Sequence, residues 1–120
     1  MVEGTYMPGD GIRITPVFAV AANRLVDMLG EQAAAGVNCK GFAPDAIAAG
    51  TPGLAFDWKR GSYLVEAGAL IAVNQYVMSD ANGRVITYVA APGVKVVGFC
   101  VTGASAVTHK VEVFPLPPQP

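Results

Sequence analysis

Gly36-Val37-Asn38-Cys39-Lys40-Gly41-Phe42-Ala43 and Gly93-Val94-Lys95-Val96-Val97-Gly98-Phe99-Cys100 share the pattern G-V-x-x-x-G-F-small, 57 residues apart. An internal repeat of this length constrains a chain more than its composition does. Each copy is one small supersecondary unit that must pack on its neighbour to bury an apolar face. Upstream, Asn23-Arg24-Leu25-Val26 lies over Asn74-Gln75-Tyr76-Val77. The gap from Asn23 to Gly36 is 13 residues and that from Asn74 to Gly93 is 19, so the second unit carries 6 extra residues, about one hairpin turn. Downstream, Leu54-Ala55-Phe56 lies over Glu112-Val113-Phe114, one residue further out of step.

The repeat bears on an ambiguous segment, residues 17–29. Thr15-Pro16 followed by Val17, Val20, Ala21, Leu25, Met28 and Leu29 reads as a capped amphipathic helix ending at Gly30. The matching stretch, Leu70 to Ser79, is rich in Val, Ile and Tyr and reads as a strand. Equivalence of the units therefore favours a strand from Arg24 to Met28.

Other segments read as β directly. Gly11 to Thr15 alternates apolar and polar residues. Val37–Ala43, Leu54–Asp57, Ser62–Glu66, Val94–Thr102 and Lys110–Phe114 are short strand candidates. Gln75–Ser79 and Arg84–Tyr88 flank Asp80-Ala81-Asn82-Gly83, whose Asn-Gly pair signals a hairpin with φ > 0 at both central positions. The expectation is an all-β fold with little helix, confined to Pro44–Ala49 and a turn near Ala104. It would be a small β-barrel or β-tulip-like domain made of two similar β units, about 17–57 and 62–114 within a single domain over 11–114. Residues 1–10 have no period and read as an extended N-terminal arm. Residues 115–120, Pro-Leu-Pro-Pro-Gln-Pro, are restricted to extended or polyproline II backbone, either a solvated end or an arm lying on a partner.

Charge narrows the function classes. The chain of 120 residues has 9 acidic and 8 basic side chains, and only 14% of it is charged. A nucleic-acid binder needs clustered Lys and Arg, and none is present beyond Trp58-Lys59-Arg60. Apolar content of 52% excludes intrinsic disorder. No apolar run reaches the roughly 20 residues of a membrane span, and Met1-Val2-Glu3-Gly4 does not open a secretory signal. Two cysteines, Cys39 and Cys100, are too few for a disulfide framework, so a reducing site of synthesis is expected. So little charge suits a surface that is covered in an assembly.

The catalytic inventory is nearly empty. His109 is the one histidine, in an expected turn before the last strand. Cys39 stands beside Lys40, which would lower its pKa slightly, but no base or acid motif accompanies it. The carboxylates are scattered without metal-ligand spacing, and Gly9-Asp10-Gly11 is not followed by the Lys of a phosphate loop. No catalytic residue, metal ligand or cofactor is expected.

The stretch from Gly61 to Val85, with Ala67-Gly68-Ala69-Leu70-Ile71 and Asp80-Ala81-Asn82-Gly83-Arg84-Val85, resembles the capsid decoration, or cement, proteins of tailed bacteriophages. So do Val96-Val97-Gly98 through Ala104-Ser105, the final strand from Lys110 to Phe114, and the opening Met7-Pro8-Gly9-Asp10-Gly11. The resemblance implies a non-catalytic protein, made in the host cytoplasm, that binds the major capsid protein on the outer surface of an icosahedral head and stabilises it against internal DNA pressure. It also implies self-association, as a trimer, with no nucleic-acid or membrane partner. Thr5, Tyr6, Met7 and Pro8 are then expected to touch a neighbouring subunit or the shell, and Trp58 with Arg60 to anchor a second contact. The alternative is a carbohydrate-binding or adaptor module of a larger assembly, with Trp58 or the tyrosines Tyr6, Tyr63, Tyr76 and Tyr88 as its platform, although most of these are expected inside. An enzyme using Cys39 or His109 is the remaining reading.

Overall fold

The computed structural model describes residues 11–59 and 61–120, and these form two antiparallel sheets with no helix. The first sheet has the order β1-β4-β3-β2, from β1 (Gly11–Ile14), β2 (Arg24–Asp27), β3 (Cys39–Ala43) and β4 (Gly53–Asp57). The second has the order β5-β9-β8-β6-β7, from β5 (Tyr63–Glu66), β6 (Gln75–Ser79), β7 (Val85–Thr87), β8 (Gly98–Cys100) and β9 (Lys110–Pro115). The all-β expectation and the two similar units are both present. Residues 17–29 contribute a strand, not a helix. Residues 44–49 are not helical either, since Val20 and Ile47 exchange backbone hydrogen bonds of 2.9 and 2.8 Å.

The units match in register as well as in order. Leu25 and Val26 lie opposite Phe42 and Gly41, and Tyr76 and Val77 lie opposite Phe99 and Gly98. Phe42 faces Phe56 as Phe99 faces Phe114. The Val20–Ile47 bridge recurs as Ile71–Ala104. Asn23 (φ 61°) and Asn74 (φ 58°) each hold a left-handed residue just before the strand. Asn tolerates that conformation better than most residues because its short amide bonds locally. The six extra residues of the second unit accommodate β7, which pairs with β6 over Val77–Ser79. In the first unit Gln32 bridges to Val26 at that place.

The loop between β6 and β7 differs from the expected two-residue turn. Asp80 Oδ1 accepts from the N–H groups of Asn82 and Arg84 at 2.8 and 2.9 Å. That carboxylate closes a five-residue loop, so only Gly83 (φ 74°) is left-handed and Asn82 is not.

Each sheet has one inward face. Val26, Ala43, Ala55, Ile14, Val20 and Ile47 form a small core within the first unit. The larger core joins the opposite face of the first sheet, Leu25 and Phe42, to the inner face of the second: Tyr63, Val65, Val77, Cys100, Val111 and Val113. Polar contacts tie the same seam. Glu66 Oε2 stands 3.2 Å from Arg24 Nη2 and 3.0 Å from Arg84 Nε, and Leu25 N donates to Gly83 O at 2.8 Å.

The repeated Gly-Phe pair has a packing reason. A Cβ on Gly98 would meet Val113 Cγ1 at 2.5 Å and Phe114 O at 2.6 Å, and one on Gly41 would meet Phe56 O at 2.9 Å. The neighbouring strand leaves no room for a side chain there. Gly98→Ala is therefore expected to destabilise the fold by about 1–3 kcal/mol through overpacking. Substituting Gly50, which has open space around it, should cost only the ~1 kcal/mol of its left-handed backbone. Paired urea titrations check the difference.

Candidate interaction surfaces

His109 is exposed, and its Nδ1 lies 3.3 Å from Ser105 Oγ on the wall of a shallow groove with Ile71, Val73 and Thr102. Among the described residues no carboxylate is bonded to that imidazole to orient the ring. Among the described residues no three His, Cys, Asp or Glu side chains gather where a metal could sit. Cys39 and Cys100 are free and buried. Cys39 lies opposite Asp27 in the β2–β3 ladder. Burial, with the Asp27 carboxylate second, pushes its thiol up from 9.0 to about 12, the reverse of the activation expected from Lys40. A thiol that keeps its proton is a poor nucleophile.

Of the residues expected at an interface, Thr5, Tyr6, Met7, Pro8 and Arg60 lie outside the described residues. Trp58 stands elsewhere than expected. It is 3% exposed, its ring stacks on Tyr63 with centroids 4.7 Å apart, and its Nε1 donates to Val97 O at 2.8 Å. Tyr63 in turn packs on Phe42 at 5.4 Å and donates its hydroxyl to Asp57 O. Trp58 is thus a core residue that joins the sheets, because an indole with its N–H satisfied gains more from burial than from solvent. The proline-rich end also folds back on its own chain. Gln119 N donates to Asn38 Oδ1 at 2.9 Å, Asn38 Nδ2 donates to Gln119 O at 2.7 Å, and Leu116 N donates to Val97 O at 2.9 Å.

What the surface does present is apolar. Two loops of the first unit hold Val17, Phe18 (75% exposed), Met28 and Leu29 (86% exposed) in solvent. They are splinted by Glu31, whose carboxylate accepts from Val17 N at 2.7 Å and Phe18 N at 3.1 Å. Asp27 Oδ1 accepts from Leu29 N and Glu31 N at 2.8 and 3.0 Å, which fixes the second loop. The outer face of the second sheet presents another group: Leu64, Phe99, Tyr76 (55% exposed) and Phe114 (43% exposed). Tyr76 and Phe99 meet edge to face at 5.1 Å. Reading 17–29 as a possible helix hid the first group, since its apolar residues then fell on a buried face. Period-2 alternation in β9, with Val111 and Val113 in and Phe114 out, was the available signal for the second.

With this geometry in place, the comparison with solved structures is informative. The chain is similar to the N base of head fibre gp8.5 of bacteriophage phi29. The TM-score is 0.74 at 19% identity, over 92% of this chain and 96% of that one. At that identity the likeness is one of fold. No protein-family model matches the sequence, and no curated protein matches it.

Two expectations follow. Trp58→Ala removes a buried ring and one of the two donors to the Val97 carbonyl, which keeps Leu116 N, so the cost is mainly that of the cavity, about 3–5 kcal/mol, and should lower Tm by roughly 10–20 °C in a thermal melt. For Cys39, the folded thiol stays protonated where the unfolded one, at 9.0, ionises, so its contribution is intact below pH 9 and is lost as pH rises towards about 12. The loss runs at up to about 1.4 kcal/mol per pH unit. Urea titrations at pH 8 and 10.5 should show a smaller alkaline loss for Cys39→Ala than for the parent chain.

Proposed function

We propose that this chain is a non-catalytic structural component of a phage head, seated on the outer surface of the shell and bound to the major capsid protein. The observation that carries this reading is the shared fold, which runs through nearly the full length of both this chain and the phi29 head-fibre base. The surface is consistent with it. The chain is poor in charge, and its most exposed large hydrophobic side chains, Leu29 and Phe18, sit on loops braced by Glu31 and Asp27. Such loops keep their shape in solution, so little ordering entropy is lost on docking. Contacts of modest strength suffice when icosahedral symmetry repeats them.

As a cement protein, the chain would bind the expanded shell and not its precursor, and stability would rise by mass action. As a fibre base, it would bind the shell equally well and add nothing to its resistance. Self-association, with the trimer as the expected state, belongs to both versions.

Heads lacking the protein, mixed with it and pelleted, should carry it down in saturable amounts. Failure to co-sediment overturns the proposal. Heating decorated and bare heads while following DNA release separates the versions. A higher release temperature supports cement, and an unchanged one supports the base.

A further inference from the structure

The two units carry the same outward row of three residues, one from each of three neighbouring strands. In the first unit the row is Leu25–Phe42–Phe56, and in the second it is Tyr76–Phe99–Phe114. Their fates differ. Leu25 and Phe42 are buried and Phe56 packs against the same core, because the second unit lies over them. Among the described residues nothing lies over the second row, and Tyr76 and Phe114 are about half exposed.

We infer that the outer face of the second sheet, centred on Tyr76, Phe99 and Phe114 with Leu64 beside them, is covered by a second copy of this chain. Three observations select that occupant. The first is the internal precedent: where this row meets a partner inside the molecule, the partner is another unit of the same sequence repeat. A duplicated unit brings its packing surface with it, and the last unit of a series keeps that surface open unless a capping element or a new copy closes it. The second is charge. Alternation along β9 places Lys110 and Glu112 on this face beside Phe114. Glu66 of β5, opposite Lys110, falls on the same side and is already paired with Arg24 and Arg84, so Lys110 and Glu112 balance and like copies do not repel. The Glu112 carboxylate already accepts from Ser62 Oγ at 2.6 Å and can be covered without being orphaned.

The third is size. Four strands about 4.8 Å apart and 3 to 6 residues long give a face of about 300 Å² in projection. That is the apolar centre of an interface whose standard extent is about 800 Å² per partner, the flanking loops supplying the rim. Tyr and Phe at such a centre are the residue types that carry most of the association energy.

The inference rests on the repeat and not on the head-surface reading, so the two fail separately. The test is sedimentation equilibrium of the full chain, of Tyr76→Asp/Phe114→Asp and of Leu29→Asp, with circular dichroism and a thermal melt on each. The parent chain is expected to self-associate. The double variant is expected to dissociate, its dissociation constant rising more than about a hundredfold, with spectrum and Tm unchanged. Leu29→Asp is expected to associate as the parent does. Should the acidic pair disturb folding, Tyr76→Ser/Phe114→Ser replaces it in the same measurement. A parent chain that stays monomeric, or a folded double variant that still associates, overturns the inference. So does a double variant that associates normally but no longer pellets with heads, since the face would then belong to the shell protein.

Discussion

The stack of Phe42, Tyr63 and Trp58 is the contact on which the rest of the molecule depends. Phe42 comes from the first sheet, Tyr63 from the second and Trp58 from the short link between them. Their rings meet at 5.4 and 4.7 Å. Each aromatic pair adds about 0.5–1.5 kcal/mol beyond the burial itself. The polar ends are satisfied inside: the tyrosine hydroxyl bonds to Asp57 O and the indole N–H to Val97 O. Val97 O also accepts from Leu116 N, which turns the proline-rich end back towards the first unit. Without this stack the chain would be two small β units, each too slight to bury an adequate core.

Duplication explains why one aromatic row is packed and its equivalent is exposed. Two copies of one β unit, joined in series, have one internal junction and two free surfaces. At the junction, the first unit's Leu25–Phe42–Phe56 row is sealed by the second unit's inner face. At the far end no described residue covers the equivalent row, and near the other end Glu31 and Asp27 hold Phe18 and Leu29 outward. A lone protein gains nothing from bracing apolar side chains in water. A component of an assembly gains a surface whose shape is set before binding. The low charge of the chain agrees with this, since few ionic groups need desolvation when such surfaces close.

The fate of the cysteines and of the histidine makes the same point from chemistry. Cys39 is buried opposite an aspartate, which raises its pKa, and His109 meets a serine hydroxyl in the open.

Much of the fold was legible in the residues alone. The G-V-x-x-x-G-F repeat predicted two equivalent units. The Asn23/Asn74 and Phe56/Phe114 correspondences hold in the ladders, and the six extra residues, read as about one hairpin turn, fall where the structure adds β7. These are local or pairwise properties: period-2 alternation, left-handed Asn, and a glycine where a neighbouring backbone comes within van der Waals range. Which face of each sheet is covered is a different kind of property. Sequence repeats do not say which unit overlies which, so Trp58 read as an interface anchor, and the structure buries it while Tyr76 is exposed. Only the tertiary arrangement decided that the junction uses one of the two equivalent aromatic rows and leaves the other free. Burial is set by what the rest of the chain places above a residue, and a linear pattern of side chains contains no record of that.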